Sequence, residues 1–268
     1  MSFKVTSIVA TALLLANVAV AQTAAPKAPA PNYTISYNLG VTSDYRYRGI
    51  SQTALRPALQ GGLDYAHKNG VYLGAWASTI KWIKDDGRIA NVDSGSSPIE
   101  IDLYGGYKFE AAKDLMLDFG ALQYVYTGNK YSVIPGNTNA NTLEFYGAMT
   151  YGAFTAKYSR SQGPLFGVGA ASGATNSKGS GYLDLSATFD LGNGYSLVPH
   201  LGSQTVTNNS NFAYTDYSVT VNKDIDGLIL SGAFVTANTK NNGAYAYATP
   251  EGRNRGKGAI VVTVKKNF

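Results

Sequence analysis

The last eleven residues of the chain constrain its fold most, because they form an alternating strand that runs to the final position. Counting back in twos from Phe268 gives one mostly apolar face, made of Val264, Val262 and Ile260 and interrupted by Lys266. Successive side chains of a strand point to opposite faces, and the other face here is mostly polar. A chain end is normally frayed and polar, so an apolar end must be tied into a sheet. A closed barrel provides this by pairing its last strand with its first, and we predict that Phe268 lies at that closure.

The first 32 residues predict export. Lys4 precedes an apolar run over residues 8–20, and Ala19 and Ala21 provide the small residues of a cleavage site. This pattern predicts a signal peptide over residues 1–21, and the apolar run is too short for a membrane-spanning helix. Residues 22–32 are rich in Ala and Pro and predict an extended periplasmic lead-in. We therefore assign residues 33–268 to one β domain.

Residues 33–48 carry the clearest alternation of the chain. One parity is apolar from Tyr33 to Tyr47, including Tyr45, and is interrupted only by Ser43. It has aromatic residues at both ends and aliphatic residues between them. This is the pattern of a lipid-facing barrel strand between two aromatic girdles. The opposite parity ends in charged side chains, which would then point into the barrel lumen. We predict a single strand over residues 33–48.

The rest of the chain alternates short turns with long polar loops. An Asn-Gly turn at residues 68–70 is followed by a long loop over residues 82–98, and the same alternation continues to the last strand. We predict an all-β fold, an antiparallel transmembrane β-barrel of about 12 strands with short periplasmic turns and long extracellular loops. A secreted β-sandwich or propeller is the alternative, but it would need a second buried face and gives no reason for alternating loop lengths.

Composition excludes several other classes. The chain has 30 Gly, 20 Tyr and no Cys, so no disulfide framework or Cys-based metal site can form. After residue 21 no apolar run approaches the length of a transmembrane helix. The net charge of +5 is too small and too scattered to indicate nucleic-acid binding.

Charged residues on the inward parity are the candidate functional residues. We predict that the pore is lined by Asp44, Arg46, Arg48, Arg56, Glu100, Asp102, Asp118, Glu144, Asp184 and Asp216. Arginines facing carboxylates across a pore would set a transverse field and an ion preference. Alternatively, the same charges could pair inside a barrel too narrow to conduct. Twelve strands lie between the filled interior of eight and the aqueous channel of sixteen, so both interpretations stay open.

The sequence does not predict an enzyme, a cofactor or a metal site. Only His67 and His200 are available, there is no Gly-x-Ser-x-Gly motif, and His200 points inward rather than toward the lipid-facing wall that a barrel lipase would use. The glycines at residues 167–173 lack the spacing of a phosphate-binding loop. Residues 85–87 (Asp-Asp-Gly) predict a turn, with a weak calcium site as the alternative.

Four stretches resemble a known family. Residues 38–53, 57–65, 70–78 and 100–107 are similar to the TorF-type porins of proteobacteria, and residues 38–53 form the longest and most specific match. The resemblance implies an outer-membrane β-barrel assumed to act as a porin, and it implies no particular solute.

We therefore expect a monomer in the outer-membrane lipid of a Gram-negative bacterium. It would let small hydrophilic solutes or ions diffuse passively through a charged lumen, and it would not bind nucleic acid. The last strand also resembles the C-terminal strands of bacterial outer-membrane proteins, which implies recognition by the barrel-assembly machinery. The alternative is a non-conducting structural or surface-interaction barrel that acts through its extracellular loops.

Overall fold

The structure is a computed structural model that describes residues 31–169, 176–241, 244 and 246–268. The predicted signal peptide and all but the last two residues of the predicted lead-in lie outside these residues. The elements of the described part are β1 (Tyr33–Thr42), β2 (Arg46–Tyr47), β3 (Ile50–Ser51), β4 (Ala58–His67), β5 (Val71–Thr79), α1 (Trp82–Ala90), β6 (Ile99–Ala112), β7 (Leu115–Tyr126), β8 (Thr142–Tyr151), β9 (Phe154–Ser161), β10 (Gly181–Ala187), β11 (Phe189–Gly192), β12 (Tyr195–Thr205), β13 (Tyr214–Ile225), β14 (Leu228–Ala237) and β15 (Ala259–Asn267). Three short 3₁₀ turns cover Tyr131–Val133, Leu165–Gly167 and Ser210–Phe212.

The long strands form one closed antiparallel barrel. Neighbours in sequence pair around the sheet, and β1 pairs with β15. Both β10 and β11 pair with β12, so they are two parts of one strand and the barrel has twelve strands, as predicted. At the seam Phe268 exchanges two backbone hydrogen bonds with Tyr37, of 2.9 and 3.2 Å. The chain end is therefore tied into the sheet.

The two ends of the barrel differ in the length of their connections. At one end, called the turn end, the strands are joined by short turns at residues 68–70, 113–114, 152–153, 193–194 and 226–227. At the other end, called the loop end, the connections are residues 43–57, 80–98, 127–141, 162–180, 206–213 and 238–258. This confirms the predicted alternation of short and long connections. The first and last barrel strands both have their free ends at the turn end.

The outward face of the barrel is apolar and exposed. On β1 the outward side chains are Tyr33, Ile35, Tyr37, Leu39 and Val41, which are 42–54% exposed. Exposed aromatic residues gather toward the turn end, where Tyr33 stacks on Tyr65 at 5.6 Å between ring centroids. Tyr107, Tyr151, Phe154, Phe189 and Tyr195 continue this aromatic belt.

No helix in the described part of the chain is both long enough and apolar enough to cross a membrane.

Inward-facing tyrosines near the turn end pack over glycines of the neighbouring strand. An added Cβ at Gly120 would lie 2.5 Å from the Tyr146 hydroxyl, and one at Gly106 would lie 2.4 Å from the Tyr72 hydroxyl. Each glycine stands directly opposite its tyrosine in the sheet. The missing side chain therefore leaves the space that lets the ring stay against the barrel wall.

The first predicted strand is shorter than expected. It ends at Thr42, and residues 43–57 leave the sheet to form a loop that contains the β2–β3 hairpin. The carboxylate of Asp44 accepts hydrogen bonds from the Ser51 hydroxyl (2.6 Å), the Thr53 hydroxyl (3.2 Å) and Arg46 Nε (2.6 Å). These local side-chain bonds replace the strand ladder. The predicted lipid-facing position of Tyr45 is therefore wrong, because this side chain is buried in the interior.

The predicted loop over residues 82–98 is wrong in its first half, which forms α1. Trp82 and Ile83 are buried, Asp85 lies in the first turn and Arg88 in the last, as the helix dipole favours. The helix ends where Asn91 takes a left-handed conformation with φ of 55°. The Asp-Asp-Gly sequence that predicted a turn is inside this helix.

A candidate constriction in the barrel lumen

Residues 43–57, called the constriction hairpin, turn tightly at Arg48 and Gly49. Arg46 pairs with Ser51 and Tyr47 with Ile50, and both central residues have positive φ, 48° at Arg48 and 78° at Gly49. This is the conformation of a type I′ turn, which is unusual for an arginine and is held here by its surroundings. A Cβ at Gly49 would lie 2.6 Å from the Asp216 Cβ. The tip of the hairpin therefore contacts the barrel wall at β13.

The constriction hairpin reaches inward-facing side chains on several strands. The Tyr45 hydroxyl donates to Glu100 Oε1 on β6 at 2.6 Å. Arg48 Nη2 donates to Glu144 Oε2 on β8 at 2.7 Å, and its Nη1 donates to Gln204 Oε1 on β12 at 2.9 Å. Since β6, β8 and β12 occupy different parts of the closed sheet, the hairpin crosses the lumen near the loop end.

The contacts of Arg48 are those of a buried, fully paired guanidinium. Its two nitrogens bind the two oxygens of Glu144 at 3.1 and 2.7 Å, the bidentate arrangement that arginine favours with carboxylates. The guanidinium also lies 4.2 Å from the centre of the Tyr182 ring. The two side chains of the ion pair are only 7% and 2% exposed. Arg48 and Glu144, both predicted to line the pore, are thus brought into direct contact.

Arg46 has a different position from the one predicted. Its Nε pairs with Asp44 at 2.6 Å, and its Nη1 donates to the carbonyls of Gly49 (3.0 Å) and Arg255 (2.9 Å). It therefore holds the hairpin to the last loop instead of facing open lumen. Arg56 is exposed at the far end of the hairpin and does not join these contacts.

The six predicted pore-lining acids of the strands all lie at inward-facing positions. Glu100, Asp102, Glu144 and Asp216 are buried near the loop end, Asp184 is half-buried in register with Asp216, and Asp118 is half-buried nearer the turn end. In the described part of the chain, Glu100, Asp102 and Asp118 form no ion pair with a Lys or Arg. The lumen wall therefore carries carboxylates that the arginines of the hairpin do not neutralise.

A histidine joins two of these acids. His200 Nε2 lies 3.5 Å from Asp184 Oδ2, and its Nδ1 lies 3.5 Å from Asp216 Oδ1. The Tyr182 hydroxyl donates to Asp216 Oδ2 at 3.0 Å. His200 faces inward as predicted. His200, its two acidic neighbours and Tyr182 thus provide hydrogen-bonding atoms on the barrel wall, on the turn-end side of the hairpin.

Several inward-facing charges, including Asp64 and Lys157, were missed by the sequence analysis. Asp64 on β4 accepts a hydrogen bond from the Tyr104 hydroxyl, and Lys157 Nζ on β9 lies 3.8 Å from the centre of the Tyr146 ring. The sequence neighbours of both residues on their strands are apolar and point outward. The alternation of the strands could therefore have identified the two charges as inward-facing. Nearby, the Tyr72 hydroxyl donates to Asp118 at 2.6 Å.

The loop end is closed over the hairpin by α1 and by the neighbouring loops. The Trp82 ring packs edge-on against Tyr126 at 5.2 Å and Tyr131 at 5.1 Å between ring centroids. Asp86 on α1 pairs with Arg255 of the last loop at 2.5 Å, and it accepts a hydrogen bond from Tyr131 at 2.8 Å. These contacts connect three of the six loop-end connections, which are residues 80–98, 127–141 and 238–258.

Asp85 on α1 is a buried carboxyl whose side chain is 1% exposed. Burial raises its pKa, and the positive charges of Lys81, Arg255 and Arg88 oppose this only in part. Among the described residues, no group of three or more His, Cys, Asp or Glu could hold a metal ion, so Asp85 and Asp86 belong to no such group.

A closed barrel with a polar, charged lumen and an inward-folded loop is the architecture of a porin-like protein. Two solved structures share the fold. The NanC porin aligns with a TM-score of 0.52 at 9% identity over 88% of this chain and 99% of that one. The KdgM porin in complex with disordered oligogalacturonate aligns with a TM-score of 0.50 at 8% identity over 87% of this chain and 97% of that one.

The sequence itself identifies a family. Residues 25–268 match the family described as bacterial protein of unknown function, Gcw_chp, and the chain belongs to it. A comparison with curated proteins gave no match.

Proposed function

We propose that the protein is a porin of the bacterial outer membrane, through which small hydrophilic solutes and ions diffuse passively. The observation that carries the proposal is the constriction hairpin, which places the Arg48–Glu144 pair inside a polar lumen. The exposed apolar face of β1 and the aromatic belt fit a lipid environment. The resemblance of residues 38–53 to the TorF-type porins also supports this function, since that stretch contains most of the hairpin.

The charges of the lumen favour cations. Arg46 and Arg48 are each neutralised by a carboxylate, whereas Glu100, Asp102 and Asp118 have no basic partner among the described residues. Glu100 and Asp102 are buried in the wall, so the half-buried Asp118 is the one of the three that faces the path, and negative charge there attracts cations and repels anions. We therefore do not extend to this chain the polyanionic oligogalacturonate of the KdgM complex.

The second candidate function is a non-conducting barrel that acts through its loops. The observation that favours it is the packing of the loop end, where the Asp86–Arg255 pair and the Trp82 ring connect several loops. Loops joined in this way could present a fixed outer surface to a partner while the lumen stays closed.

Single-channel recording separates the two functions. We would refold the protein, verify the barrel by its heat-dependent electrophoretic mobility, and record currents in planar bilayers under a salt gradient. We expect steady, ohmic, cation-selective openings from the wild type. Arg46→Ala/Arg48→Ala should conduct more and shift further toward cations, because it frees the carboxylates of Asp44 and Glu144. Arg56→Ala is the matched control, because this arginine is exposed and outside the ion pairs.

The outcomes have distinct meanings. If the conductance does not change in the double variant, the porin proposal stands, but the two arginines do not determine the conductance or the ion selectivity. Silence from a correctly folded barrel would contradict the porin proposal and favour the loop-mediated function.

A further inference from the structure

The outer wall of β9 carries an arginine at its loop end. On this strand the side chains of Phe154 and Tyr158 point outward and are 63% and 51% exposed, and Arg160 is the last outward-facing side chain. The residue opposite Arg160 on β8 is Phe145, which is 53% exposed. Arg160 therefore lies where the apolar outward face of the barrel ends and the long loops begin.

The Tyr158 hydroxyl lies at the same level of the wall as Arg160. This hydroxyl packs over Gly181, where an added Cβ would clash with it, and Gly181 is the residue opposite Arg160 on β10. Outward-facing tyrosines of membrane proteins keep the ring in the apolar layer and the hydroxyl at the interface with water. Arg160 is thus at the level where a lipid carries its headgroup. If the long loops are extracellular, as predicted, this is the headgroup layer of the outer leaflet.

Arg160 borders a cavity of about 670 Å³, a volume within the range of about 300–1,000 Å³ that ligand sites have. A second cation, Lys178, lines the same cavity, together with the amide side chains of Gln162, Asn176 and Asn208. The guanidinium of Arg160 lies beside Gly179, since an added Cβ at this glycine would be 3.3 Å from Arg160 Nη2. Gly179 follows Lys178 in the chain, so the two cations border one space from neighbouring positions.

Neither cation of the cavity is neutralised. Arg160 and Lys178 are both exposed, and within the described ranges neither side chain forms an ion pair or a hydrogen bond. The sequence has no acidic residue between Glu144 and Asp184, and no acidic side chain is among the described residues that line the cavity. Two cations without a counter-charge, surrounded by amides, favour an anion.

The backbone that carries Lys178 is held by hydrogen bonds on both sides. Asn176 Oδ1 accepts from the backbone nitrogen of Lys178 at 3.0 Å, and Asn208 Nδ2 donates to the carbonyl of Asn176 at 3.1 Å. The backbone nitrogen of Gly179 donates to the carbonyl of Ser161 at 3.1 Å, which ties the loop to the end of β9. The two cations are therefore placed by an ordered backbone before any ligand binds.

We propose that this cavity binds the phosphate monoester of a membrane lipid. A phosphate monoester carries a charge of about −1.5 to −2 near neutral pH, which matches the two cations. The Arg160 guanidinium donates parallel hydrogen bonds to its oxygens, and the Lys178 ammonium adds a second positive charge. The acyl chains then lie on the apolar outward face beside Phe145 and Tyr158. This binding requires that the barrel lies in a membrane, as the proposed function states, and it does not require conduction.

Native mass spectrometry of the refolded barrel, released from detergent micelles, measures the binding. We would titrate the protein with phosphatidate, whose headgroup is a phosphate monoester, and with phosphatidylcholine of the same acyl chains. We expect saturable binding of phosphatidate and much weaker binding of phosphatidylcholine. Arg160→Gln/Lys178→Gln should bind phosphatidate about tenfold more weakly, because it loses two exposed charge pairs.

Arg56→Gln/Lys84→Gln is the matched control. It removes the same two charges from exposed residues at the loop end that do not line the cavity. We expect this variant to bind phosphatidate as the wild type does. An equal loss of affinity in the two double variants would show that the overall positive charge of the loops attracts the lipid, and it would overturn the site.

Glycerol 3-phosphate, the soluble headgroup of phosphatidate, distinguishes a lipid from a dissolved phosphate. It should displace phosphatidate only at much higher concentrations, because it has no acyl chains. If it binds as tightly as phosphatidate, the ligand is a dissolved phosphate ester and the lipid is overturned. A barrel that conducts but binds phosphatidate no better than phosphatidylcholine would remove the site and leave the porin proposal intact. Specific binding of phosphatidate to a barrel that carries no current would do the reverse.

Discussion

Arg48 shows how one residue connects the hairpin to the barrel. It takes a positive φ, pairs bidentately with Glu144 and lies over the Tyr182 ring. Each of these features has a cost in isolation: a strained backbone, a desolvated charge and an ordered long side chain. The three persist together because the surrounding strands fix them, so removing one partner should affect stability strongly.

The first prediction concerns this ion pair. Arg48→Ala leaves Glu144 charged and buried, and we expect it to lower the free energy of unfolding by about 3–5 kcal/mol. Urea unfolding in lipid vesicles measures this change. Arg56→Ala should alter stability by less than about 0.5 kcal/mol, because Arg56 is exposed. Arg48→Ala/Glu144→Ala should cost less than the two single losses added together, and strict additivity would show that the two side chains do not interact.

Among the elements, strand alternation was predicted well and the loops were not. A strand in a barrel has one apolar and one polar face, so apolar and polar residues alternate in its sequence, as they do in β1 and β15. The loops have no such period. Tyr45 has the outward parity of β1 and Arg48 the inward parity, yet both lie on a separate hairpin, so the alternation of β1 does not explain the contact between Arg48 and Glu144. That Arg48 lines a pore stays a prediction.

The helix α1 could not be predicted for a related reason. Its nine residues are too few to form a stable helix alone, and Asp85, Asp86 and Gly87 favour a turn locally. The helix is stabilised by burying Trp82 and Ile83 against aromatic residues that are distant in sequence. Tertiary packing of this kind leaves no local pattern.

The second prediction concerns the pH dependence that Asp85 gives to this helix. Because burial raises its pKa, the folded state favours the neutral carboxyl. The contribution of Asp85 to the free energy of unfolding is therefore fully present below the ordinary pKa of an aspartate, and it is lost as the pH rises through the raised pKa. The facing charges are Lys81, Arg88 and Arg255, which favour ionisation, and Asp86, which opposes it.

We expect that the Asp85→Asn variant does not lose stability in this pH range, because the asparagine side chain does not ionise. The melting temperature of the wild type, relative to that of the variant, should fall as the pH is raised through this range. Thermal unfolding of both proteins at a series of pH values measures the difference. Parallel curves would show that Asp85 titrates normally.

The third prediction concerns the glycine–tyrosine contacts of the barrel wall. Gly120→Ala places a methyl group where the Tyr146 hydroxyl now lies, so the ring must leave the wall and lose its hydrogen bond with Tyr72. We expect a smaller single-channel conductance, because the displaced ring enters the lumen. Gly232→Ala is the matched control, since nothing lies within 4 Å of a Cβ at that position. Equal conductance in both variants would contradict the proposed role of the contact.

At the scale of the whole molecule, the seam between β1 and β15 makes the barrel continuous. Phe268 contributes to it through its backbone bonds with Tyr37, whereas its side chain is 69% exposed. The fourth prediction separates these two contributions. Phe268→Ala should change the stability of the refolded barrel by less than about 1 kcal/mol, because few contacts are lost.

The same substitution should strongly reduce the amount of barrel assembled in cells if the assembly machinery reads the terminal aromatic residue. Heat-modifiable protein in outer-membrane fractions measures this amount. Exchange of the exposed Phe154 for Ala provides the comparison, since it removes an aromatic side chain away from the chain end. Equal yields from the two variants would contradict a recognition role for Phe268.

The position of the constriction hairpin between the first two long strands has a consequence for the order of folding. Arg48 binds partners 96 and 156 residues further along the chain, and Arg46 binds a carbonyl 209 residues away. Contacts this distant in sequence form late, because the loop-closure entropy must be overcome first. The seam between β1 and β15 joins residues that are more distant still, such as Thr42 and Thr263, so on the same argument the ring of strands should close last. The hairpin should then bind Glu144 before closure, and a newly closed barrel should carry its mature current from its first opening, without an earlier and wider state.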